Sequence, residues 1–244
     1  MAVVTWDGST DTDYGTAANW DTGSVPTSSD DVIIANVTND CVLDGSRSVN
    51  SFTVLSGGKF NGNTEMLTVV GEADGSGATS NGFAVNIDGV IVGTNTNITI
   101  TTPTATTVDF YAQGGGKVRH VTINHASCVA TLGALLDISG NLTITLGELN
   151  TNSGSNYAVT VAGTTRIGPA SGGADQATLT CNDSTVSLGS GLTSDYGLTV
   201  VKGGTFDGGS GNHTIGSINV ANFGDAKMDF TSGDTTVDSE KTGD

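Results

Sequence analysis

One eleven-residue unit occurs twice without a gap. Phe52-Thr53-Val54-Leu55-Ser56-Gly57-Gly58-Lys59-Phe60-Asn61-Gly62 aligns on Leu198-Thr199-Val200-Val201-Lys202-Gly203-Gly204-Thr205-Phe206-Asp207-Gly208. A third copy, Leu142 to Asn150, is one residue shorter, and a looser fourth runs from Tyr111 to Val118. The unit reads as a short strand, a glycine corner, an inward apolar residue, then Asn or Asp and another turn. Gly57, Gly58, Gly203 and Gly204 are the expected corners, because sharp turns often demand a positive φ that a Cβ resists. Phe60, Val118, Leu149 and Phe206 are the expected inward residues. A unit this small buries too little to stand alone, so copies must stack on one another.

The rest of the chain follows the same rhythm. Runs such as Asp30 to Ile34, Met66 to Val70, Phe83 to Ile87, Asn97 to Ile100 and Ala177 to Thr180 are separated by Gly, Asn, Ser and Asp. Several alternate apolar and small polar residues with period two, the pattern of half-buried strands. No window of a dozen residues carries a helical period. Thirty-six glycines, 14% charged residues and 5% aromatics fit strands and corners, not helices solvated by Glu, Lys and Arg. The expected fold is all-β, a parallel β-helix (β-solenoid), with a β-sandwich of jelly-roll type as the alternative. A sandwich has no reason to repeat one corner motif. The expected organisation is a cap over residues 1–30, a solenoid over 31–221 and a polar tail or cap over 222–244.

The N-terminal segment, with Trp6, Asn19-Trp20, Val25-Pro26 and Asp30-Asp31-Val32-Ile33-Ile34, resembles the start of right-handed β-helix regions in bacterial and phage surface proteins. The strand, Gly-Gly, apolar, Asn units resemble the rungs of autotransporter-like passenger domains and of β-helical phage virion proteins, over roughly residues 15–220. The resemblance implies a right-handed stack and an adhesive or structural role. It transfers no catalytic residue. Bacterial members of this class carry a secretory signal, whereas Met1 to Gly8 has neither a basic stretch nor an apolar core. The expectation is therefore a virion protein, made in the host cytoplasm: a capsid decoration or stabilising protein, or a fibre segment. A bacterial surface adhesin at the cell surface is one alternative.

Catalytic and ligand motifs are scarce. His120, His125 and His213 have no Gly-x-Ser-x-Gly companion, and His120 and His125, five apart, are expected on opposite sides of a strand. No Gly-x-x-x-x-Gly-Lys-Ser/Thr loop occurs. Asp7 to Asp13 offers hard oxygens for calcium, with Asp30-Asp31 as neighbours, but its spacing is not that of an EF-hand and the expected reading is a turn. No catalytic residue, metal or cofactor is assigned. The second functional alternative is a carbohydrate-binding or polysaccharide-cleaving receptor protein, which predicts an exposed aromatic and acidic groove halfway along the stack. Trp6 and Trp20 serve in that reading as glycan contacts; otherwise they plug the open end as a structural cap.

Charge and cysteines narrow the partners. Eight Lys and Arg against 25 Asp and Glu give a formal net charge of −17, which disfavours nucleic acid and anionic membrane surfaces. Cys41, Cys128 and Cys181 are odd in number, widely spaced and set in apolar runs, so buried free thiols are expected. The sequons at Asn36, Asn97 and Asn141 read as strand-edge residues. Flat Thr/Ser/Asn faces suit lateral packing, so the expected partners are other virion proteins of capsid or tail and further copies of this chain, with the class resemblance suggesting a trimer.

Overall fold

The computed structural model describes residues 1–73, 82–169, 177–189, 195–220 and 225–237. Parallel strands stack into a β-solenoid of about eight turns, and the one helical element among the described residues is a 3-10 turn at Ala17–Asn19. The sandwich alternative is excluded, because every strand-to-strand ladder is parallel.

Each turn visits three faces. The first face begins with Val3–Trp6, Asp31–Ile34, Ser51–Val54, Phe83–Ile87 and Ala105–Asp109. It continues through residues 129–132 and 147–150 to Ala177–Thr180, Gly204–Gly209 and Lys227–Phe230. The third face runs from Arg47–Val49, Met66–Val69 and Asn97–Ile100 through residues 120–123 and 142–144 to Thr165–Ile167, Leu198–Val200 and Ile218–Val220. The long strands His120–Leu132 and Leu142–Asn150 bend from the third face into the first, with register shifts at the bend between Ile123 and Val129 in the former. The second face is interrupted. Cys41–Val42, Lys59–Asn61 and Val90–Ile91 form one sheet, and Leu136–Ile138, Val159–Val161, Val186–Leu188, His213–Ile215 and Thr235–Val237 form another.

In-register stacking turns the period-two pattern into continuous apolar columns. Val49, Val69, Ile100, Ile123, Ile144, Ile167 and Val200 lie one above another on the third face, all fully buried. On the first face Val4, Val32, Phe52, Val85, Val108 and Leu132 do the same. Burying each such side chain contributes about 1.5–3 kcal/mol, and each depends on the turns above and below. The expected inward residues Phe60, Val118, Leu149 and Phe206 are all fully buried.

The corner glycines divide into two kinds. Gly57 and Gly203 have φ of +79° and +76°. Each is the third residue of a turn closed by Gly58 N–H to Leu55 O (2.7 Å) or Gly204 N–H to Val201 O (2.8 Å), the signature of a type II turn. Gly58 and Gly204 have no such φ. They are glycine because a Cβ would strike the backbone carbonyl oxygen of Ile34 or Ile167 one turn earlier. In the shorter copy Gly147 serves both ends, with φ of +91° and a Cβ site 2.5 Å from His125 O.

The Asn or Asp after the inward residue is equally regular. Asn61 Oδ1 accepts from Asn63 N–H (2.9 Å), Asn150 Oδ1 from Asn152 N–H (2.9 Å) and Asp207 Oδ1 from Gly209 N–H (3.2 Å). Asn63, Asn152 and Gly209 all have positive φ, which Asn and Gly tolerate best. Copies of the unit nevertheless occupy different corners. Phe52 to Gly62 links the first face to the second, whereas Leu198 to Gly208 links the third to the first.

Stacking begins inside residues 1–30, since Val3 pairs with Asp31 and Trp6 with Ile34. Asp21 N–H donates to Thr5 O and Thr5 N–H to the Asp21 carboxylate, so residues around Asp21 close the outer edge of this strand. Stacking also extends into the polar segment, through Lys227–Phe230 and Thr235–Val237. Residues 222–224 and 238–244 of that segment lie outside the described residues.

Candidate functional site

The break in the second face falls after Ala105–Asp109, about halfway along the stack, at the fourth copy of the repeat. There the ladder is reduced to single bridges, Val90 with Gln113 and Val118 with Ile138. Between them the chain bulges over Gly114, Gly115 and Gly116. Gly115 (φ +77°) matches Gly57, and Gly116, pressed against the carbonyl oxygen of Ile91, matches Gly58. Gly114 adds a second positive φ of +72°, and open space surrounds the Cβ positions of both Gly114 and Gly115. The glycine turn is that of the repeat, displaced along the face: Gly57 and Gly58 precede Lys59, the partner of Val90, whereas Gly114 to Gly116 follow Gln113, its partner in the next turn.

Under this bulge lies a cleft of about 300 Å³ walled by Phe110 to Lys117 and by Leu135 and Asp137 of the next turn. Tyr111 is 54% exposed and Leu135 41%, whereas Phe110 beneath them is buried. Tyr111 is held in place: its N–H donates to Asp109 Oδ1 (2.8 Å), and Ala112 N–H donates to Phe110 O (2.9 Å). Gln113 N–H donates to Gly89 O (2.7 Å) and its side-chain amide to Ser56 Oγ (3.3 Å). Lys117 Nζ stands 2.6 Å from Asp137 Oδ2, so the charges at this wall compensate each other. Burial pushes the Asp109 carboxyl up from its ordinary value; the Tyr111 N–H pulls it back in part, and Asp88 pushes it further up. The cleft can stack one ring face and hydrogen-bond at its rim.

The other expected positions fall elsewhere. Trp6 and Trp20 are buried, packed edge to face at 5.1 Å, with Tyr14 at 4.7 Å from Trp20. Their indole N–H groups donate to Asn39 O (2.9 Å) and Tyr14 O (2.8 Å). A glycan-contact role for the two tryptophans is therefore corrected: neither presents a ring face to solvent, because both complete the apolar layer at the N-terminal end. In the Asp-rich loop, Asp7 Oδ1 accepts from Ser9 N–H, and Asp11 Oδ1 from Asp13 N–H and Asn19 Nδ2. These bonds hold the Asp11 carboxyl below its ordinary value. Asp30 accepts from Thr27, and Asp31 from Asn50 and Ser51. Among the described residues no group of three His, Cys, Asp or Glu is placed to hold a metal ion.

His120 Nδ1 accepts from Asn141 N–H (2.8 Å) and His125 Nδ1 from Ser127 N–H (3.2 Å). His213 is buried in an apolar column of the second face, above Leu136, Val159 and Val186. The three cysteines are buried and free. Sequence reasoning read Tyr111 to Val118 as one more rung corner and so missed the cleft. The third consecutive glycine was the signal that could have found it.

Fold and cleft together define a parallel β-solenoid whose second face, among the described residues, is broken mid-stack. Comparison with models of known protein families, with curated proteins and with solved structures finds no match.

Proposed function

We propose that this chain is a non-enzymatic structural protein of a phage particle surface, decorating and stabilising the shell or forming a segment of a fibre. The observation that carries the reading is the set of continuous buried columns, such as Val49 to Val200, that bind successive turns into one body. With strands about 4.8 Å apart, about eight turns give a rod of roughly 40 Å whose turns are locked by shared core. Such a body resists bending and unravelling, the mechanical demand on a shell or fibre component. A net charge of −17 keeps free copies soluble before assembly. The resemblance of the corner units to those of β-helical virion proteins supplies the particle context. Capsid or tail proteins and further copies of the chain, in a trimer, are the proposed partners.

Mass spectrometry of purified particles tests this reading by counting copies of the chain against the major shell protein. A high, fixed ratio is expected for decoration, and a few copies for a fibre. Absence from particles together with surface labelling of bacterial cells would replace this reading with that of an adhesin.

A further inference from the structure

We propose that the cleft beneath Gly114 to Gly116 is a binding subsite for a neutral pyranose unit of a surface polysaccharide. The site goes beyond a structural role and stands or falls independently of it. Three features of the cleft select this chemistry.

First, Tyr111 and Leu135 are among the few large apolar side chains that the described residues leave open to solvent, and both line the cleft, from successive turns. A tyrosine ring that is apolar on its face and wet at its edge suits a ligand with the same duality. A pyranose ring has an apolar C–H face and a rim of hydroxyls. Second, the rim offers both donors and acceptors, in the Gln113 amide, the Lys117 ammonium and the Asp137 carboxylate. A hydroxyl, donor and acceptor at once, can use all three. Third, the charge pattern disfavours an anionic ligand. Asp137 neutralises Lys117 at 2.6 Å, and the whole chain carries −17. Gly114 and Gly115 line the cleft with bare backbone, and nothing stands within 4 Å of their Cβ positions. Its volume of about 300 Å³ is at the lower end of small-molecule sites and matches one sugar ring better than a folded partner.

The test is NMR titration of the full chain with neutral hexasaccharides (malto-, cello-, manno- and xylohexaose), with hexagalacturonate as the anionic control. Binding by at least one neutral probe is expected at millimolar concentration, with shifts confined to Tyr111, Gln113, Lys117, Leu135 and Asp137. Tyr111→Ala should weaken it about tenfold or more, whereas Tyr111→Phe, which keeps the ring face, should bind within a fewfold of the unaltered chain. Tyr111 is exposed, so neither variant should move the unfolding temperature. Failure of every neutral probe to shift these residues, equal binding by Tyr111→Ala, or preference for hexagalacturonate would each overturn the proposal.

Discussion

Gly58 lies against the carbonyl oxygen of Ile34, one turn earlier in the stack, so closely that a Cβ would stand 2.5 Å from it. The contact is with backbone, which cannot swing aside. Gly58→Ala should therefore destabilise the protein by about 1–3 kcal/mol, the cost typical of overpacking. Gly93 is the contrast: its φ is +74°, but nothing lies within 4 Å of its Cβ position. Gly93→Asn should cost about 0.5 kcal/mol or less, because Asn tolerates that backbone region. Urea denaturation of the two variants separates crowding from conformation; equal losses would contradict the distinction.

The third-face column makes a second prediction. Ile144 sits fully buried between Ile123 and Ile167. Truncation to Ala should cost about 2–5 kcal/mol and to Val about 0.5–1.5 kcal/mol. Thr160, exposed on the second face, should tolerate Ala within about 0.5 kcal/mol. A small loss at Ile144→Ala in denaturant titration would mean that the turns relax independently.

His213 should make the C-terminal turns acid-labile. Its ring is 2% exposed, Nε2 pairs with Gly208 O (2.8 Å), and Nδ1 has no hydrogen-bond partner. With the Nε2–H tautomer that this bond selects, protonation would place a charge and an unmet donor between Phe206 and Phe230. Burial accordingly lowers its pKa from 6.5, with the Gly208 carbonyl pulling part of the way back. Above the unfolded value both states hold a neutral ring and stability is at its plateau. As pH falls from 6.5 through the lowered folded value, the unfolded chain takes the proton first and stability declines. His213→Leu, which restores the column residue found at Leu136, should flatten that slope between about pH 7.5 and 5. The remaining slope belongs in part to His120, whose pKa is lowered first by burial and then by Arg119. The lowered carboxyls Asp11 and Asp30 lose their contribution only below the ordinary carboxylate range. Identical pH profiles for the two proteins, followed by thermal unfolding, would remove His213 as the cause.

The thiols provide a clock for opening. Cys41, Cys128 and Cys181 are fully buried, and burial pushes each thiol pKa up, that of Cys128 to about 11. Since the thiolate is the reactive form, none should react with an aromatic disulfide reagent at neutral pH in the folded protein, while all three should react in denaturant. Prompt labelling of one native thiol would reveal local opening of its turn.

Much of the architecture is legible in local sequence. The Gly-Gly corners, the apolar residue after them and the Asn or Asp beyond are short-range chemistry: a φ, a side-chain hydrogen bond two residues on, an alternation of faces. Phe60, Leu149 and Phe206 are buried for reasons visible within a few positions. Which corner a unit occupies is not local, and so the copies at Phe52 and Leu198 look alike while joining different faces. The cleft was hidden for the same reason. Tyr111 resembles the apolar start of a rung, and only the pairing of Gln113 with Val90 and the position of Leu135 one turn later show that it faces solvent. Trp6 and Trp20 are ambiguous in sequence because aromatic residues suit a sugar platform and a plug equally; the structure buries both rings and pairs their indole N–H groups with Asn39 and Tyr14, the former distant in sequence. Strands, corners and the need to stack were thus determined by the sequence itself, since each follows from backbone preference and alternation over a few residues. Register between turns, the break in the second face and the burial of His213 were decided only by the tertiary structure, because they depend on residues brought together from separate turns of the stack.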